Sequence, residues 1–311
     1  VYPQNHRALL SVAPRPNQET YSNAEDEETA FRSEKHPRAC EELFACTMMP
    51  DTNKASLLPN APDPAVIGKC ALAIMTKAPR AGEVKTRLCP PLTPDEAAGL
   101  NQSFLRDISE AISRAGAEVL GVGCYTPLGT EAIYHDLLPA NFRLIPQRYD
   151  QLSARLIAAT ADLFALGFAA VCLINSDSPT VPAATFAEAA NILINATTDV
   201  VLGPADDGGY YLIGMNQPYP DIFSDIAWST SRVLEQTLQR ANDLGLRIHL
   251  LPPGQDVDDR EGLRRLYDEL LRPKPGKGVA AAPATAKFLR TLVTDKTRGR
   301  FFSEETIAPE L

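Results

Sequence analysis

Cys70-Ala71-Leu72-Ala73-Ile74-Met75-Thr76-Lys77 is an unbroken apolar run cut off by a hydroxyl and a charge. Six apolar residues with nothing polar between them fit a strand buried on both faces, as in parallel sheets covered by helices. Downstream, Thr93, Pro94 and Glu96 spell a capping box with proline at the first helical position, and Leu100, Phe104 and Ile108 repeat every fourth residue until Gly116. Further strands are predicted over 119–125, 142–145, 170–174 and 246–251, alternating with helices over 152–166, 183–194, 229–244 and 261–271. Strands separated by helices require crossover connections. The expected fold is therefore single-domain α/β, with a mostly parallel twisted sheet and helices on both faces. Ligands in such folds bind beyond the carboxyl ends of the strands, at a topological switch point.

Away from this region the sequence changes character. Residues 1–66 are rich in Pro, Asn, Glu and Ser, carry the acidic run 25–28 and show no sustained period, so a poorly ordered extension is expected there. The folded domain is expected over 68–272, followed over 273–311 by a Lys, Pro and Gly-rich linker and a short helix near 284–293. With 39 acidic and 30 basic residues the net charge is −9, which argues against a broad nucleic-acid footprint. No stretch reaches the roughly 18 to 20 apolar residues of a membrane span, and the first 30 residues lack the apolar core of a secretory signal. The expected location is the cytoplasm. The six cysteines form no Cys-x-x-Cys pair and read as reduced thiols, while the four scattered histidines suggest neither a metal site nor a triad.

Polar residues gather where the strands end. Thr76 to Leu88 holds four cations, Lys77, Arg80, Lys85 and Arg87, within eleven residues of an acidic chain, either a solvated loop or a cradle for phosphates. It has neither P-loop spacing nor the glycines of a dinucleotide fingerprint. Asn175-Ser176-Asp177-Ser178-Pro179 places a carboxylate at a strand end beside hydroxyls, suiting either a hard divalent cation or a helix cap. In Asp256-Val257-Asp258-Asp259 the same two readings compete, and Asp258 is the candidate ligand. Between strand-like segments at 200–202 and 210–213 lies Pro204-Ala205-Asp206-Asp207-Gly208-Gly209, a turn whose paired acids are either plain turn residues or part of a site. Two adjacent carboxylates cannot easily both ionise in close contact, so the pair either shares a cation or points two ways.

Four runs, Thr76 to Leu88, 176–182, 203–214 and Trp228-Ser229-Thr230, resemble those of a family of small bacterial proteins with a glycosyltransferase-A fold, known as glycosyltransferases or nucleotide-diphospho-sugar transferase-like proteins. Some members are linked to arsenosugar biosynthesis. The Lys-Thr-Arg-Leu stretch is also similar to one in 2-phospholactate guanylyltransferase, and Asp-Val-Asp before a helix to one in molybdenum-cofactor cytidylyltransferases. The resemblance spans about 68–272. It implies a metal-dependent transfer of sugar from a nucleoside-diphosphate sugar to a small acceptor. Nucleotidyl transfer from an NTP with pyrophosphate release, or a non-catalytic nucleotide-binding module, are the alternatives. The implied nucleotide or phosphate contacts are Lys77, Lys85, Thr86, Arg87 and Ser176; the implied ligands of Mg²⁺ or Mn²⁺ are Asp177 and Asp258. Asp206 and Asp207 become the implied catalytic acids, and Gly208, Gly209, Trp228 and Ser229 the substrate wall. The lone tryptophan also has a plain reading as a core residue.

Overall fold

The computed structural model describes residues 62–272, 282–293 and 298–302. Most of the expected N-terminal extension and the linker after 272 lie outside the described residues. The elements in chain order are β1 (Cys70–Lys77), α1 (Pro94–Ser113), β2 (Val119–Thr126), α2 (Glu131–Leu137), β3 (Arg143–Pro146), α3 (Leu152–Ala165), β4 (Ala170–Ile174) and α4 (Ala183–Ile194). Then come β5 (Val200–Pro204), β6 (Tyr210–Met215), α5 (Val233–Asp243), β7 (Ile248–Leu250), α6 (Arg260–Leu271), α7 (Pro283–Leu292) and α8 (Arg298–Phe302). The predicted capping box opens α1: Thr93 accepts from the Glu96 amide, and the Glu96 carboxylate accepts from the Thr93 amide.

The seven strands form one mixed sheet in the order β3-β2-β1-β4-β6-β5-β7, with β6 antiparallel to both neighbours and the other pairings parallel. Alternating side chains of β1 feed opposite layers. Cys70, Leu72 and Ile74 pack with Leu105 and Ile108 of α1 and Phe186 and Leu193 of α4. Ala71 and Ala73 face the other way, towards Leu156 and Leu163 of α3. Small residues on this second face let α3 lie close to the sheet. A third cluster forms on the outer side of α1, where Leu100 and Phe104 meet Leu263 and Leu266 of α6 and Leu289 of α7. Asp107 fastens α7 by accepting from the Ala284 and Thr285 amides at 2.9 and 2.7 Å.

Four elements differ from the sequence reading, among them β7, which is shorter than the strand expected over 246–251, and α8, a five-residue helix that had no prediction. The helix expected from 229 starts at Val233, because Ser229 takes a left-handed φ of 61° and Thr230 uses its hydroxyl on the Ala227 carbonyl. The seven-residue helix α2 had no prediction, being too short to show a period. Cys70, Cys124 and Cys172 are buried free thiols and Cys89 is partly covered, while Cys40 and Cys46 lie outside the described residues. No helix among the described residues is long and apolar enough to cross a membrane.

Candidate functional site

The chain leaves β1 towards β2 and β3 on one side and returns to place β4 on the other. The crevice between the ends of β1 and β4 is thus the switch point of the sheet. Because β5 and β7 run parallel to β4 and β6 runs against it, the segments after β1, β4 and β7 and the β5–β6 turn all open at the same edge. The four polar runs singled out in the sequence are these segments.

Lys85 knots three of them together. It stands in a left-handed conformation, φ 49°, just before a 3-10 turn at Thr86–Leu88, and its side chain is only 5% exposed. Its ammonium donates to Asp177 Oδ1 at 2.6 Å, Asp258 Oδ1 at 2.9 Å and the Val257 carbonyl at 2.7 Å, so its three N–H groups have three acceptors. Burial by itself would depress the lysine pKa, but Asp177 and then Asp258 outweigh it and hold the pKa above the usual value. The Val257 amide reaches the Asp177 carbonyl at 3.2 Å and completes the tie between the post-β4 and post-β7 loops.

Asp177, Asp256 and Asp258 have carboxylate oxygens all within 4.8 Å of one another. Asp256 is pushed up to about 7, first by burial and then by Asp177 and Asp258. One ammonium among three carboxylates leaves the group short of positive charge. An all-oxygen donor set with surplus negative charge fits a hard divalent cation. Of the competing readings for 256–259, capping falls to Asp259, whose carboxylate accepts from the Gly262 amide at 2.7 Å, and Asp258 faces Lys85. Asp256 escaped the sequence reading. The signal for it is the two-residue spacing from Asp258, which in an extended segment sends both side chains to one side.

In the β5–β6 connection, Gly208 donates to the Ala205 carbonyl and Ala205 to that of Gly209, a three-residue loop closed by Gly208 at φ 86°. A Cβ at Gly208 would land on the Ser231 carbonyl, and the Leu234 amide bonds the Gly208 carbonyl at 2.9 Å. The turn is thereby pinned to the start of α5. Asp207 accepts from the Gly209 amide at 2.8 Å and lines two adjoining cavities; Asp206, exposed, lines neither.

The larger cavity, 640 Å³, is polar and contains Lys77, Lys85, Thr86, Arg87, Ser176, Asp177, Asp207, Gly209, Ser229 and Asp258 in its wall. Lys77 has Glu83 at 3.6 Å, whereas Arg87 makes no ion pair among the described residues. Asn101 of α1 also faces this space: it is 3% exposed, and its Oδ1 has no hydrogen-bond partner. The smaller cavity, 320 Å³, is walled mainly by apolar side chains and includes Trp228, which is half-buried against the core under α3 and α5. Ser176, Asp177, Asp207, Gly209 and Val233 border both. Of the residues picked from the sequence, only Asp206 and Gly208 lie outside the two cavity walls.

Residues 108–230 match the model of a family described as "Uncharacterized protein conserved in bacteria (DUF2064)". Among solved structures, the chain is similar to a "putative nucleotide-diphospho-sugar transferase" from Desulfovibrio desulfuricans G20, at 28% identity over 76% of this chain and 97% of that one, with a TM-score of 0.65. The resemblance read from the four motifs and the α/β fold are borne out by these matches. More distant are a CMP:2-keto-3-deoxy-manno-octonic acid synthetase complexed with CTP (12% identity, 64% and 96% covered, TM-score 0.41) and a 4-diphosphocytidyl-2C-methyl-D-erythritol synthase from Anaerococcus prevotii DSM 20548 (11%, 64% and 96%, 0.41). Those two are too remote to bear on chemistry. No curated protein matches the chain in sequence.

Proposed function

We propose that this chain is a metal-dependent glycosyltransferase that moves a sugar from a nucleoside-diphosphate sugar to a small acceptor. The observation that carries the reading is the meeting of a polar and an apolar cavity along one wall that contains Asp177 and Asp207. Group transfer needs two unlike molecules held in contact, and adjoining compartments supply that. The similarity to the Desulfovibrio protein points the same way.

In this reading Arg87 and Lys77 hold the diphosphate in the polar cavity, with Thr86 and Ser176 as hydroxyl donors. Arg87 suits this task because no carboxylate among the described residues occupies its guanidinium. Asp177, Asp256 and Asp258 would hold Mg²⁺ or Mn²⁺, which when bound neutralises charge on the departing nucleoside diphosphate. Lys85 keeps these acids in place. The acceptor hydroxyl oxygen bonds to the anomeric carbon while the bond from that carbon to the diphosphate oxygen breaks. Its electron pair leaves on the diphosphate and the hydroxyl proton passes to Asp207, the general base. Gly209 fixes that carboxylate through its amide and brings no side chain into the wall.

Incubation with a nucleoside-diphosphate sugar, Mn²⁺ and a small alcohol acceptor, against a nucleoside triphosphate, Mn²⁺ and a phosphorylated acceptor, tests the proposal. Free nucleoside diphosphate is expected from the first and nothing from the second. Pyrophosphate released from a triphosphate, with no diphosphate from the sugar donors, would replace it with nucleotidyl transfer.

A further inference from the structure

We infer that the smaller cavity receives the apolar body of an alcohol acceptor, an aryl or alkyl group in place of a polyhydroxylated ring; the assignment rests on the transferase reading above. Met75, Leu152, Leu156, Leu173, Tyr210 and Trp228 contribute its apolar lining. The polar groups it shares with the larger cavity are Ser176, Asp177 and Asp207. The aromatic residues bring no spare hydrogen-bonding capacity. Trp228 Nε1 donates to Ser153 Oγ at 2.6 Å, Ser153 donates in turn to the Phe223 carbonyl at 3.1 Å, and the Tyr210 hydroxyl has almost no accessible surface. The hydrogen-bonding side chains of the cavity, Asn175, Ser176, Asp177, Asp207 and Asp256, come from the loops at the strand ends, so a sugar ring laid against the apolar part of the lining would lose water from the hydroxyls turned towards it without gaining partners, each weakening binding by roughly tenfold. An aryl or alkyl group meets no such penalty and gains burial. A cavity of about 150 Å³ admits benzene. At 320 Å³ this one has room for a phenyl group and a short chain, with the hydroxyl directed to the shared wall at Asp207.

Trp228 is the only tryptophan in the chain, so its fluorescence reports on this cavity. Titrating the full chain with 2-phenylethanol is expected to change that emission saturably, and glucose at equal concentration is expected to leave it unchanged. Leu152→Asp puts a carboxylate into the lining at the first residue of α3, where the helix dipole favours an acid and folding is retained. The variant is expected to weaken 2-phenylethanol about tenfold while nucleotide affinity stays the same. A response to glucose and none to 2-phenylethanol, or an undiminished 2-phenylethanol response in Leu152→Asp, overturns the inference. The two readings fail separately. Diphosphate release in a protein indifferent to 2-phenylethanol keeps the transferase and removes the apolar acceptor. A saturable 2-phenylethanol signal that Leu152→Asp weakens, in a protein that releases no diphosphate with any acceptor, keeps an apolar ligand cavity and removes its part in transfer.

Discussion

Asp206 and Asp207 are neighbours in the chain with different surroundings: one lines both cavities and the other lines neither. Asp207→Asn is expected to lower turnover by about 10²- to 10⁴-fold with little change in donor affinity, the size of a lost general base. Asp206→Asn should stay within about twofold of the wild type in the same steady-state assay. Asn101 makes a second prediction. Its Oδ1 is buried and unpartnered beside the polar cavity, so the similarly sized apolar side chain in Asn101→Leu removes an unsatisfied acceptor, and calorimetry should find the melting temperature equal to or above that of the wild type. Asp177 and Asp207 were legible in the sequence because each follows or precedes a recognisable strand. Asn101 was not, since a polar residue between Leu100 and Phe104 reads as the wet face of an amphipathic helix until the neighbouring loops are placed.

The buried strands and the longer helices could be read from their periods, and so could the turn between β5 and β6. What the pattern hides is where a hydroxyl-rich run stops being loop, as at the start of α5, and which turn residue carries the geometry. That residue is Gly208. Gly208→Ala is expected to cost more than about 2 kcal/mol, from the left-handed backbone and the collision with Ser231, and to lower turnover by moving Asp207. Urea unfolding and the transferase assay check the two parts. The edge strand β7 is held differently. Arg247 just before it grips Asp199 just before β5 through Nε at 2.9 Å and Nη2 at 2.8 Å, and this hydrogen-bonded guanidinium lowers the Asp199 pKa to about 2. A folded-state pKa below the unfolded value near 3.9 stabilises the fold above about pH 4, and the benefit disappears as pH falls through 2. Asp199→Asn should therefore lower the urea midpoint at neutral pH and flatten its decline between about pH 4 and 2.

At the scale of the whole molecule, the sheet order could not be read from the sequence, and it is the order that brings residues 85, 177 and 256–258 together at one crevice. Contacts between segments about 90 and 170 residues apart leave no local periodic trace. The strand-end rule found the right neighbourhood without saying which side chains would touch. Lys85 gives that neighbourhood one more property. Its ammonium serves as a resident counter-ion, so the acidic crevice is part of a stable fold before any cation arrives, and a metal held by Asp177, Asp256 and Asp258 would add to this charge without displacing it. Lys85→Met would then turn an autonomous fold into a conditional one. Removing one partner of a buried pair costs about 3–5 kcal/mol, and the lost stability should return on adding Mn²⁺. The measurement is the melting temperature of both proteins with and without Mn²⁺, where the ion is expected to raise the variant more than the wild type. Equal increments in the two would mean that lysine and metal do not share these carboxylates.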